Sequence, residues 1–422
     1  MSGHKKRLLL AAPSNGAIDE LLFRLCSNGM ISSDSSYKCP SIVRLGSGVS
    51  SDEDGDKSIV GKFSLDYQLD TIITNSNEYH KLEEHNNLIN SMKQMLADAQ
   101  AADAKVKINK LQADLRLHRQ YKVSLEESLE RMRFTTKYNL LANADIVAGT
   151  LSSLGSKVMT DYLLQADHSF DTCVIDEAAQ CTEPSTMIPL RYGCKKLVLV
   201  GDTQQLPATV LSSKANAKGL GVSLFERLER AGHQKIMLNV QYRMHPVIRQ
   251  FPSEYFYENK LIDAPSAYSM DCAAPLVLYD LMNSKEDSSG NSYKNEVEIS
   301  FIINLLLSNL DDWKNQSVAI ITPYKAQLNR LKQEVLSNKI ERVEVTTIDG
   351  FKGREKDVII FSSVRSNRAS IGFLSDHRRL NVAITRSKKQ LFIIGCIKSL
   401  EINQHWGALI MSLRARNLVK TV

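Results

Sequence analysis

Nowhere in these 422 residues do two cysteines stand in a Cys-x-x-Cys pair. The seven that occur (Cys26, Cys39, Cys173, Cys181, Cys194, Cys272 and Cys396) are scattered and odd in number, which argues against a disulfide framework or a zinc site and fits a reducing compartment. No apolar run approaches the ~20 residues needed to cross a bilayer, so membrane insertion is not expected. The basic start, Met1 to Arg7, precedes apolar residues as in a signal peptide, but that run stops at Pro13 without a small-residue cleavage pattern and reads as a buried strand. Glycine and proline are both absent from Lys62 to Ala148, which favours helix throughout that stretch. What remains is an ordinary soluble composition, 43% hydrophobic and 24% charged, long enough for two or three domains. A net charge of +6 permits a polyanionic partner without demanding one.

Short runs rich in Val, Ile and Leu predict strands over Arg7–Ala12, Thr172–Ile175, Lys196–Val200, Ser317–Ile321, Asp357–Ser362 and Gln390–Ile394. Continuous apolar strands alternating with helical stretches indicate parallel sheets covered on both faces, with chemistry at the carboxyl ends of the strands. Within the glycine-free stretch, Leu88, Met92, Met95, Ala99, Ala102 and Val106 follow a four-three spacing, as do Tyr121, Leu125, Leu129 and Met132. They predict two antiparallel helices turning near Ala97–Lys105. Asp52–Lys57 and Asn283–Asn295 read as polar loops.

Asp176-Glu177 follows the apolar strand Cys173-Val174-Ile175, so one carboxylate can hold Mg²⁺ while the other orients and deprotonates a water. Such a pair is common on solvated turns; its place at a strand end sets it apart. A strand later comes Gly201 to Pro207, where Gln205 offers an amide able to sense a phosphate. Gln241 to Pro246 and Leu380 to Lys388 supply Arg243 and Arg386, each a guanidinium fork suited to a phosphoryl transition state, and Tyr242 offers a ring for stacking on a base. Taken singly, each of these has an ordinary surface reading.

Their order along the chain resembles the motif series of superfamily 1 helicases. Ala12-Pro13-Ser14-Asn15, Ile42 to Gly46 and Ala148-Gly149-Thr150 resemble motifs Ia, Ib and Ic; Asp176 to Gln180 and Gly201 to Pro207 resemble motifs II and III. Ile321 to Tyr324 and Thr346 to Asp357 resemble motifs IV and V, and Arg386 sits in motif VI. Cys181 to Gly193 is especially similar to the senataxin-like group, with the nonsense-mediated-decay helicases second. The resemblance implies an α/β fold of two RecA-like parallel-sheet lobes of the P-loop NTPase type, with a two-helix coiled-coil insertion in the first lobe. The implied division is residues 1–48 and 140–237 for the first lobe, 49–139 for the hairpin, 238–400 for the second lobe and 401–422 for a C-terminal helix.

It further implies ATP and Mg²⁺ as cofactors: Asp176 binds the metal, Glu177 is the general base, Gln205 and Arg243 contact the γ-phosphate, and Arg386 is the arginine finger. Tyr242 would stack on the base, and Gly353 and Glu355 would line the nucleotide cleft. Pro13, Ser14, Asn15, Thr150, Thr322, Pro323, Tyr324 and Thr347 would hold single-stranded RNA or DNA, with RNA–DNA hybrids as a further substrate, movement 5′ to 3′ and a nuclear rather than cytoplasmic setting.

Two departures stand out. The family carries Gly-x-x-x-x-Gly-Lys-[Ser/Thr] ahead of motif Ia, and the nearest run here, Gly55 to Phe63, has one residue too many, lacks the hydroxyl and lies on the wrong side of that motif. Lys352 stands where the family has glutamine. The first lobe is therefore expected to lack the strand before the phosphate loop, and residues 1–422 alone to be inactive. The competing readings are an ATPase-deficient nucleic-acid-binding fragment or paralogue, and, more weakly, a metal-dependent nuclease built on Asp176 and Glu177.

Overall fold

The computed structural model describes residues 6–31, 37–38, 40–46, 58–165, 169–269, 272, 274–290, 292–351, 353–366 and 370–422. Cys39, Lys352 and the polar stretch Asp52–Lys57 lie outside them. The described chain forms two compact units, one of residues 1–201 and 208–227, the other of 202–207 and 228–422.

The first unit is built on β1 (Leu8–Ala12), β2 (Ile42–Leu45), β3 (Ile146–Thr150), β4 (Thr172–Ile175) and β5 (Lys196–Leu199), all parallel in the order β2-β3-β1-β4-β5. The strand period of two explains why β1 is apolar throughout. Leu9 and Ala11 face a core with Phe170 and Tyr192, whereas Leu10 and Ala12 face Ile18 and Leu22 of α1 (Asn15–Asn28). Both faces are buried. β5 is an edge strand, pairing only with β4 among the described residues.

Two strands, β2 and β3, stand in the long interval that the apolar runs left between β1 and β4. Between them lie α2 (Leu65–Thr74), α3 (Asn77–Ala101) and α4 (Lys105–Asn143). The hairpin turns at Ala102–Ala104, within the expected stretch, with Asp103 at φ +51°. Its seam differs from the expected one in α3. Leu88 and Met95 are exposed, and the residues turned inward are Leu82, His85, Ile89, Met92, Leu96 and Ala99. Met92 and Ala99 lie in the expected seam, but its second row shifts by one residue, from Leu88 and Met95 to Ile89 and Leu96, and His85 extends the seam at a position that a count of apolar residues passes over. Its ring lies 5.3 Å from His118 and 4.6 Å from Tyr121, ring centroid to centroid. In α4, Leu125 and Leu129 are buried as expected, whereas Val106 and the edge of Tyr121 face solvent.

The second unit has β6 (Leu276–Asp280), the short hairpin β7 (Asp287–Ser289) and β8 (Ser292–Lys294), then β9 (Val318–Thr322), β10 (Val343–Thr347), β11 (Lys356–Ser362), β12 (Ser387–Gly395) and β13 (Val419–Thr421). Its six-stranded parallel sheet runs β10-β9-β11-β12-β6-β13. Ile321, Phe361 and Ile393 pack on one face with Trp406 of α9. Ile320, Ile360 and Ile394 pack on the other with Ile299 and Ile302 of α6 and Leu331 of α7. The helices used below are α5 (Pro246–Phe256), α6 (Glu296–Ser308), α7 (Lys325–Ser337), α8 (His377–Ile384) and α9 (Gln404–Ala415).

Three expectations change. The stretch Asn283–Asn295 holds the antiparallel β7–β8 hairpin instead of an open loop, fixed by Glu286 and Tyr293, which both engage Arg365. Residues 401–422 do not end as helix: β13 adds a strand beside β6, with Leu278 opposite Val419. Asp202–Pro207 is counted with the second unit, since Leu206 is buried in that unit's core.

Candidate nucleotide and nucleic-acid sites

β4 delivers Asp176 and Glu177 at its carboxyl end, and the backbone there is tied on both sides. Asp176 N donates to Ala11 O at 2.9 Å, and Ala178 N donates to Val200 O at 2.7 Å. Glu177 has φ +51° and ψ +36°, a left-handed conformation uncommon outside glycine and characteristic of functional turns. Its Oε2 accepts from Gln180 Nε2 at 2.6 Å. Burial pushes the Asp176 carboxyl up, against the backbone N–H of Glu177 and the charge of Arg24.

Gly201, two residues beyond β5, stands where only glycine leaves room for the acidic turn. A Cβ there would stand 2.8 Å from Ala179 N and 3.2 Å from Ala178 N, in the turn that carries the acidic pair. Gly201→Ala is expected to destabilise the first unit by ~1–3 kcal/mol through this overlap. Urea unfolding reads it directly; an unchanged midpoint would show that the turn yields freely.

At the same edge of this sheet lie the strand-binding candidates of the first unit. Ser14 caps α1, its Oγ accepting from Ala17 N at 3.3 Å, and Thr150 caps the turn after β3, accepting from Ser153 N at 3.1 Å. Register places Ala12 opposite Thr150, so the two caps end neighbouring strands. Pro13, Ser14 and Asn15 are exposed and Thr150 is half-buried. Arg44, buried in β2, ties this edge together. Its Nε meets Asp19 Oδ1 at 2.6 Å, while its two Nη atoms donate to Gly46 O and Asn15 Oδ1, each at 3.3 Å.

In the second unit, Gln205 Oε1 accepts from Arg386 Nη2 at 2.9 Å, and Gln205 Nε2 donates to Asp202 Oδ2 at 3.0 Å. Asp202 Oδ2 also accepts from Tyr257 Oη at 2.7 Å. Asn381 Nδ2 donates to that hydroxyl at 2.7 Å and to Gln204 O at 3.0 Å. Burial and the Asp202 charge push the Tyr257 phenol up, keeping it protonated as a donor. Arg243 Nε meets Glu355 Oε2 at 2.5 Å and its Nη1 donates to Thr385 O at 3.2 Å, while Nη2 has no protein partner among the described residues. Burial works to raise Glu355, but Arg243 and Lys388 outweigh it and hold the carboxyl below its usual range. Tyr242 is 70% exposed, its ring open for stacking. Gly353, at φ +70°, stands two residues before Glu355.

The structure thus brings Gln205 to Arg386, and Arg243 to Glu355. It separates others. Thr322 and Tyr324 are buried, so their side chains cannot meet a strand in this arrangement; Pro323 and Thr347 are half-buried beside them. Asp202 and Asn381 lay inside recognisable motifs without an assigned role, and Tyr257 carried no signal at all. Among the described residues there is no group of three or more His, Cys, Asp or Glu able to hold a metal. The acidic pair still suits Mg²⁺, which is commonly held by one or two carboxylates with phosphate and water completing its shell.

Two parallel sheets, with Asp176 and Glu177 at the carboxyl end of β4 and with Arg386 and Glu355 just before the amino ends of β12 and β11, define a pair of RecA-like lobes. Residues 1–213 and 220–398 match two family models, each described as an AAA domain. A probable helicase of Dictyostelium discoideum is 38% identical over 96% of this chain and 39% of its own length. Helicase SEN1 of Saccharomyces cerevisiae is 32% identical over 98% of this chain and 20% of its own. The probable helicase senataxin of Homo sapiens is 32% identical over 99% and 17%. The chain belongs to the superfamily 1 helicases, in the senataxin-like group. It spans less than half the length of these relatives.

Proposed function

We propose that the chain carries most of the motor of an ATP-dependent translocase that moves 5′ to 3′ along single-stranded RNA or DNA, with RNA–DNA hybrids among its substrates and the nucleus as its setting. The observation that carries the reading is the acidic pair at the end of β4, where a left-handed Glu177 is steadied by Gln180. In this reading Asp176 holds Mg²⁺, which neutralises phosphate charge when bound. Glu177 takes the proton of the attacking water. Gln205 and Arg243 contact the γ-phosphate, Arg386 meets the charge of the transition state, Tyr242 stacks on the base, and Gly353 and Glu355 line the nucleotide.

Pro13, Ser14, Asn15, Thr150, Pro323 and Thr347 grip the strand, and the buried Thr322 and Tyr324 support them from within. The small polar side chains and helix caps among these, Ser14, Asn15, Thr150 and Thr347, suit phosphate and sugar better than base edges. Affinity for a labelled oligonucleotide should therefore fall by orders of magnitude between about 50 mM and 200 mM salt and change little with sequence. Fluorescence anisotropy on oligonucleotides of differing sequence tests this. Strong preference for one sequence, indifferent to salt, would refute the proposed mode of binding.

A further inference from the structure

The residue after β11 and Ser363 is a β-branched one held at positive φ. Val364 has φ +69°, a value that a β-branched residue rarely adopts, and is fully buried. Arg365 N donates to Ser363 O at 2.8 Å, closing a three-residue γ-turn of the rare positive-φ kind around it. Such a conformation persists only where its surroundings impose it.

Here they do so from both sides of the residue. Val364 N donates to Glu298 Oε2 at 3.0 Å, and Val364 O accepts from Asn295 Nδ2 at 3.0 Å. Glu298, on α6, is itself fully buried and accepts from Ser362 Oγ at 2.5 Å and Ser363 Oγ at 3.4 Å. Gln327 of α7 closes the network, donating to Ser362 Oγ at 2.9 Å and accepting from Asn295 N at 2.8 Å.

The turn has a destination. Arg365 Nε reaches Glu286 at 3.0 Å, its Nη1 reaches Tyr324 Oη at 3.4 Å, and its guanidinium carbon lies 4.3 Å from the centre of the Tyr293 ring. Gly372, at φ +56°, is required for this approach, since a Cβ there would stand 2.9 Å from Arg365 Nη1 and 3.1 Å from Tyr324 Oη. Tyr324 directly follows Pro323, one of the proposed strand contacts.

We infer that Glu298 is a positioning residue for strand engagement by the second unit: it holds the left-handed turn at Val364 that sets Arg365 against Tyr324 and so fixes the Pro323 end of β9. The inference rests on the strand-binding reading above. Burial pushes the Glu298 carboxyl up to about 7, with the charge of Glu286 adding to it and the Ser362, Val364 and Ser363 donors opposing it. Glu286, the ionisable group facing it, is paired with Arg365. With its folded value raised, Glu298 binds its proton more tightly in the folded state, so its contribution to stability falls as pH rises from the ordinary carboxylate range towards about 7. The ionised form is nonetheless the stronger acceptor for Val364 N–H.

Stability and binding should therefore part company in Glu298→Gln. At about pH 8 the variant is expected to melt no lower than the wild type, yet to bind a fluorescein-labelled oligothymidylate about threefold to tenfold more weakly. The affinity gap should close by about pH 6, where the wild-type carboxyl is itself neutral. Adding Val364→Gly, which adopts a positive φ without an anchor, should restore most of the affinity. Equal affinity of wild type and Glu298→Gln at about pH 8, or a gap that does not vary with pH, would overturn the inference. So would failure of a folded double variant to recover; should it not fold, the pH profile decides. A wild-type protein that binds no oligonucleotide at any salt concentration would instead refute the strand-binding reading, and this inference with it.

Discussion

In a protein that joins these residues to a phosphate-binding loop, Glu177→Gln is expected to lose ~10²–10⁴-fold in strand-stimulated ATP turnover while nucleotide binding persists. The reason lies in how little else the substitution changes. Glutamine keeps the shape of the side chain and can still meet Gln180, and the turn itself is held by backbone bonds from Asp176 to Ala11 and from Ala178 to Val200. What is lost is the ability to accept a proton. Steady-state hydrolysis with and without oligonucleotide, set beside binding of a fluorescent ATP analogue, separates the two effects. An unchanged kcat would sink the base assignment. The 422 residues contain no Gly-x-x-x-x-Gly-Lys-[Ser/Thr] run and should show no turnover in the same assay, since no loop of that kind is there to hold the β-phosphate in line. Stimulated hydrolysis by this stretch would show that the phosphate loop is dispensable.

Arg386→Lys should cost ~10³-fold or more in kcat, the scale on which arginine fingers act. Arg386 is 3% exposed, and its Nη2 donates to Gln205 Oε1 at 2.9 Å. Lysine preserves the charge but not the planar fork that can hold Gln205 and a phosphate oxygen together. Because the residue is buried, urea unfolding and oligonucleotide affinity serve as controls, and both should change far less than turnover. Gln205→Ala should lower kcat as well, and less than additively with Arg386→Lys, because the two side chains act as a bonded pair. A well-folded Arg386→Lys protein with near wild-type kcat would remove Arg386 from the chemistry.

The reach of sequence differs between the sheet strands, the hairpin and the sites. Thr172–Ile175 is a strand because four consecutive residues suit a ribbon buried on both faces, and that pattern is local. The acidic pair at its end was legible for the same reason, since a strand end is where such folds put their chemistry. The hairpin was legible from its lack of glycine and proline, and its turn fell where expected. Its seam was legible in part: Met92, Ala99, Leu125 and Leu129 turn inward as expected, whereas Leu88 and Met95 do not, and His85 packs against His118 and Tyr121 on the facing helix.

By itself, then, the sequence determined the α/β class, most strands of the two sheets, the hairpin, and the motif residues from Asp176 to Arg386 in their order. Tertiary structure alone decided which of them meet. Gln205 and Arg386 are 181 residues apart in the chain, and Arg243 and Glu355 are 112 apart. No local pattern encodes a contact at such separations. It also decided that Thr322 and Tyr324 are buried, that Tyr257 supports the Gln205 segment, and that Val364 takes a positive φ. The physical reason is common to all three. Burial, hydrogen-bond partners and tolerated strain are set by what distant segments bring to a residue, whereas propensity and period are set by its neighbours in the chain.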